Sequence, residues 1–152
     1  MNNLTETQKA YIAGFIDGEG TISISKTGYV STSGENNYTT LLRVGNTNKE
    51  VLETIRNWTG LGYVKIFSTK WSTERKNNKP LWKWQMAANQ MRELLPVILP
   101  YLLIKKRVAK LALELLGDKP RVRGRHVSQE LREKYRIIVK EAQELNQRGV
   151  SI

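Results

Sequence analysis

The chain has 152 residues, enough for one domain with an ordinary hydrophobic core, and 39% of them are hydrophobic, which argues against disorder. Twenty-five Lys and Arg face fourteen Asp and Glu, a formal charge of +11, so the expected partner is a polyanion, either nucleic acid or an anionic membrane surface. The absence of cysteine excludes disulfides, zinc knuckles and thiol catalysis, and a lone histidine, His126, excludes a His-rich zinc site.

The opening "MNNLTETQKA" lacks the basic start and apolar segment of a secretory signal, which suits an intracellular home, bacterial, archaeal or organellar (chloroplast or mitochondrion). Thr5 or Thr7 caps a first helix running to about Ile16, and Gly18 and Gly20 end it. In that helix Ala10, Ala13, Gly14 and Asp17 share a stripe, while Ile12, Phe15 and Ile16 point elsewhere. Gly14 and Gly18 have the small-xxx-small spacing that lets two helix backbones approach closely. Asp17 and Glu19 sit where the helix macrodipole is already negative, an opposition of roughly 0.3–1 kcal/mol each. Pairing two copies would crowd these carboxylates, and a divalent cation suited to carboxylate oxygen, such as magnesium, would reverse that cost. The plain alternative is a helix accommodating a strand, followed by a polar turn.

Next comes "TISIS" at 21–25, a strand with Ile22 and Ile24 on one face, then a turn-rich connection and a second strand around "YTTLLRVGN". "TNKEVLETIRNWTG" predicts a helix with a Thr47–Glu50 capping box and a Gly60 stop. Strands follow at 62–68 and 81–86, separated by a charged tip. From Asn89 the pattern is helical, interrupted by Pro96 and Pro100 and resuming from Leu102 to Leu116. The apolar run from Leu94 to Ile104 is too short to span a bilayer and holds both prolines, so no membrane role is expected. A basic loop, "GDKPRVRGRHV", precedes a last helix opened by Ser128. The order of helix, two strands, helix, two strands, helix indicates an α+β unit with an antiparallel sheet.

"IAGFIDGEG", Ile12 to Gly20, resembles the LAGLIDADG motif of homing endonucleases, with Ile for the first Leu, Phe for the second and Glu for the second acid. The element order resembles that family's too, and the likeness covers the chain, weakly beyond Gly117. It implies an αββαββα fold with a curved antiparallel four-stranded DNA-binding sheet and a C-terminal helix. The endonuclease core would be 1–117, with 118–152 extending the same domain. A single motif implies the homodimeric branch, whose motif helices pair through Ala10, Ala13, Gly14 and Asp17, and each protomer reads half of a long pseudo-palindromic double-stranded DNA site. The implied reaction is phosphodiester hydrolysis with Mg2+, Mn2+ or Ca2+ substituting in binding. Members are typically encoded in group I introns, and a maturase that binds intron RNA is the alternative function on this scaffold.

By resemblance, Glu19 and the Gly18 carbonyl hold the metal, and Asp17 is structural. Asn46 stands where the family places a polar residue, usually Gln, that organises water; it equally suits a turn before Thr47. Lys105, or Lys106 in the other register, falls near the scissile phosphate. Alternation turns Ser23, Ser25, Thr39, Arg43 and Lys65 toward DNA, with Thr27 at the end of the first strand and Leu42, Val44, Val64 and Ile66 inward. The fourth strand is open: either Lys83 and Gln85 face DNA or Trp82 and Trp84 do. Lys70, Arg75, Lys76 and Lys79 in the tip, and Arg121, Arg123 and Arg125 in the late loop, are expected phosphate contacts. His126 would lie at the surface or against a phosphate.

Overall fold

The computed structural model describes residues 2–30, 36–67, 79–118 and 128–147, with backbone only at 27–30, 36–37 and 118. The capping box decides between the two candidate threonines. Thr5 Oγ1 accepts the Gln8 N–H at 3.2 Å, the Gln8 side chain accepts the Thr5 N–H at 3.0 Å, and α1 (Glu6–Glu19) starts there. This helix runs about a turn beyond Ile16, through Gly18, and β1 (Gly20–Val30) follows without a linker. A Cβ at Gly20 would lie 2.6 Å from the Ile16 carbonyl oxygen, so only glycine lets the chain leave the helix this sharply.

β2 (Asn36–Asn46) pairs antiparallel with β1 from Gly20 opposite Val44 to Lys26 opposite Tyr38, and again at Val30 opposite Asn36. The hairpin therefore extends into what the sequence reads as a turn. α2 (Lys49–Thr59) is not opened by a Thr47–Glu50 box. Asn46 Oδ1 takes the Asn48 N–H at 2.8 Å, which moves the cap to Asn48, whose side chain accepts from Val51 at 3.3 Å. Gly60, in the left-handed region with φ 67, ends α2 as expected.

β3 (Tyr63–Ile66) and β4 (Trp82–Ala87) complete an antiparallel sheet of order β1-β2-β4-β3. Register settles the sign of the fourth strand. Met86 lies opposite Leu42 and Trp84 opposite Val44, both partners fully buried, so the tryptophans turn inward and Lys83 and Gln85 outward. Trp84 Nε1 donates to the Leu61 carbonyl at 2.9 Å. Val64 is half-buried on the inner side, but Ile66 stays 44% exposed because it lies at the end of an edge strand.

α3 (Ala88–Ile98) continues through Pro96 rather than breaking there, since Leu94, Leu95 and Ile98 are all fully buried and packing outweighs the lost backbone bond. The break comes at a 3-10 turn, Leu99–Tyr101, and α4 (Lys106–Asp118) starts later than Leu102. Ser128 caps α5 (Gln129–Leu145), as expected. All five helices contribute buried side chains to one core on the inner face of the sheet, including Tyr135, Ile138, Val139 and Ala142 of α5. Asn146 Nδ2 donates to the Ile22 carbonyl at 2.8 Å, tying the end of α5 to β1. Among the described residues no helix is long and apolar enough to cross a membrane.

Candidate functional site

The end of α1 gathers several of the expected residues. Gly18 and Glu19 are exposed there, and Glu19 makes no hydrogen bond or ion pair with any described residue. Asp17 is different: it is 9% exposed and turned into its own chain. One of its carboxylate oxygens accepts the N–H groups of Leu103 at 2.7 Å and Ile104 at 3.2 Å, and the other accepts that of Lys105 at 2.8 Å. These donors precede α4, so the acid organises the entry to that helix. The Lys105 ammonium returns to donate to the Asp17 carbonyl oxygen. Burial pushes this ammonium below its ordinary pKa, and the charges of Asp17 and then Glu19 oppose the shift. Lys106 begins α4 and is half-buried.

Asn46 ends β2 at the same end of the sheet, two residues past the Val44 that faces Gly20. Its Oδ1 is engaged in the turn before Asn48, so the turn reading of this residue describes its contacts. Glu19, Gly18, Lys105 and Asn46 thus share one end of the fold, reached from α1, the 102–105 segment and β2.

The expected dimer stripe divides. Ala13 is fully buried and Asp17 nearly so, both inside their own chain, because the stripe straddles the boundary between two helix faces. The open ridge is Thr7, Ala10, Tyr11, Gly14 and Gly18, and a Cβ at Gly14 or Gly18 would meet nothing within 4 Å. Beside it stand Leu103 and Ile104, 81% and 54% exposed. Periodicity did not single out these two, whose exposure follows from the turn folded around Asp17.

The outer face of the sheet carries Thr21, Ser25, Arg43 and Lys65, all exposed, and Ser23, Thr39, Lys83 and Gln85, half-buried. Tyr63 and Phe67 share this face, although the sequence reading overlooked them; alternation with Lys65 was the available signal. Lys83 lies opposite Lys65, with its Nζ 3.3 Å from the centre of the Phe67 ring. Its pKa is lowered by burial and then by Arg43 and Lys65. Lys79 is exposed. The Thr27 side chain and Lys70, Arg75, Lys76, Arg121, Arg123, Arg125 and His126 lie outside the described residues.

Comparison with curated proteins gives no match. Among solved structures, the archaeal intron-encoded homing endonuclease I-Vdi141I complexed with DNA superposes with a TM-score of 0.76 at 19% identity, over 95% of this chain and 87% of that one. The homing endonuclease I-CvuI, in complex with its target in the presence of calcium, gives 0.73 at 19% identity over 96% and 87%. I-SmaMI bound to an uncleaved DNA target gives 0.64 at 20% identity, and there 98% of this chain covers 47% of the other. At these identities the likeness establishes the fold. A family model described as LAGLIDADG endonuclease matches residues 12–112, which include the end of α1, the whole sheet and the Lys105 segment, and the chain belongs to that family.

Proposed function

We propose that the protein is a site-specific double-strand DNA endonuclease that acts as a homodimer with a divalent cation. The observation that carries the reading is the exposed Glu19 carboxylate, close enough to Lys105 for their charges to interact and at the end of a cationic sheet face where Asn46 closes β2. DNA complexes of structurally similar proteins support the partner.

No group of three or more acids or histidines gathers among the described residues, so one protomer offers Glu19 and the Gly18 carbonyl. That donor set fits magnesium, which keeps several waters and takes one or two carboxylates together with substrate phosphates. When bound, the cation neutralises charge developing on the phosphoryl oxygens and promotes attack by water. Lys105 adds a fixed positive charge held by Asp17, and the Asn46 amide orients water. Two copies meeting along the Gly14–Gly18 ridge, flanked by Leu103 and Ile104, bring their Glu19 residues together so that both strands are cut. The outer sheet face enters the major groove, where base pairs are distinguishable.

Incubating the protein with a randomised duplex library and magnesium, then sequencing the cut ends, tests activity, site length and symmetry together. Glu19→Gln should retain DNA binding and lose cleavage; a variant that still cuts removes Glu19 from the reaction.

A further inference from the structure

One row on the outer face of the sheet has a chemistry more selective than its charge. Thr21, Arg43, Gln85 and Tyr63 stand opposite one another across all four strands. Gln85 Nε2 donates to the Tyr63 hydroxyl, so the ring holds the amide by one N–H. The second N–H and Oε1 remain unused by the described residues, as a donor–acceptor pair. Arg43, directly opposite Gln85, is exposed and makes no hydrogen bond or ion pair with a described residue. The neighbouring cations are held differently: Lys83 over the Phe67 ring at 3.3 Å and Lys65 over the Tyr63 ring at 5.4 Å. On this face the described side chains of β1, by contrast, are the hydroxyls of Thr21, Ser23 and Ser25, and Ser23 Oγ donates to the Leu41 carbonyl at 3.3 Å.

We propose that Arg43 and Gln85 form a base-reading pair that selects a guanine and an adenine close together in each half of the target, with Tyr63 as the positioning residue for the amide. The inference rests on the DNA-cleaving function proposed above. Guanine presents two acceptors, N7 and O6, in the major groove, and these match the guanidinium fork. Adenine presents an acceptor at N7 and a donor at N6, which match the N–H and Oε1 that Tyr63 leaves available. Adjacent strands lie about 4.8 Å apart, and base pairs stack about 3.4 Å apart. Cross-strand neighbours therefore reach bases about two steps apart or fewer. The hydroxyls of Thr21, Ser23 and Ser25 accept either kind of base, so the base pairs below these three residues tolerate change.

The test is selection of the full-length protein on a randomised duplex library in calcium, with the bound fraction sequenced. It compares wild type with Arg43→Gln, Gln85→Glu and Tyr63→Phe. The wild type should enrich one guanine and one adenine, within about two steps, in each half-site. Gln85→Glu should convert the adenine preference to cytosine, whose N4 donates to a carboxylate, with other positions unchanged. Arg43→Gln should convert guanine to adenine. Tyr63→Phe, which keeps the ring, should lower the adenine preference about fivefold and leave the guanine preference intact. Enriched sites without this purine pair, or variants that weaken every position alike, overturn the proposal. A wild type that binds no sequence preferentially overturns the endonuclease reading as well, which separates the two failures.

Discussion

Replacing Asp17 by alanine removes the acceptor for three backbone N–H groups, those of Leu103, Ile104 and Lys105. A hydrogen bond to a charged acceptor contributes about 1.5–3 kcal/mol, so three would together contribute at most roughly 4.5–9 kcal/mol. Water recovers part of this, since Leu103 and Ile104 are 81% and 54% exposed. Alanine at a helix cap costs about 0.5–2 kcal/mol in ordinary settings. Asp17 is itself only 9% exposed and holds a longer segment than one cap, so the expected loss is about 2–4 kcal/mol. Glu19→Gln, two residues away, should change stability by about 0.5 kcal/mol or less, because Glu19 is exposed and hydrogen-bonds to no described residue. Urea unfolding followed by tryptophan fluorescence, at one fixed protein concentration, measures both variants against the parent. An Asp17→Ala protein as stable as the parent, or a Glu19→Gln protein equally damaged, would refute this division of labour between the two acids.

Gly14→Leu should leave the protomer folded, since a Cβ there meets nothing within 4 Å, yet yield a monomer in sedimentation; an unchanged dimer sinks the ridge pairing. Gly62→Ala should lower the urea midpoint by the equivalent of about 1–3 kcal/mol, because Gly62 has φ 73 and a Cβ would lie 2.6 Å from Trp84 Nε1; an unmoved midpoint contradicts that packing. The folded-state pKa of Lys83 lies below that of an ordinary lysine side chain, owing to burial and then to Arg43 and Lys65. Between the folded and unfolded values the unfolded chain binds more protons, so stability rises with pH in that window. DNA phosphates favour the charged form, so affinity falls as pH climbs through the same window. Lys83→Gln should flatten both alkaline slopes, and slopes identical to wild type would exclude Lys83 as their source.

Local chemistry was legible along the chain because it depends on near neighbours. The Gly60 and Ser128 caps, the alternation in β1 and β2, and the nine-residue motif at the end of α1 all needed no distant partner. Other features stayed hidden for the complementary reason. Whether Trp84 or Gln85 faces inward depends on pairing with Val44 and Arg43, and a shift of one residue would reverse it. Asp17 finds its N–H partners 86 to 88 residues away, and only that contact separates its role from that of Glu19. Pro96 stays helical because burial of Leu94, Leu95 and Ile98 overrides a local preference. Periodicity and cap residues thus assigned helices and strands, and resemblance a motif, while chain packing decided which acid is exposed, which α1 face is open and which strand face carries the cations. Packing decides these because each depends on burial against residues remote in sequence, and spacing along a chain carries no information about such partners.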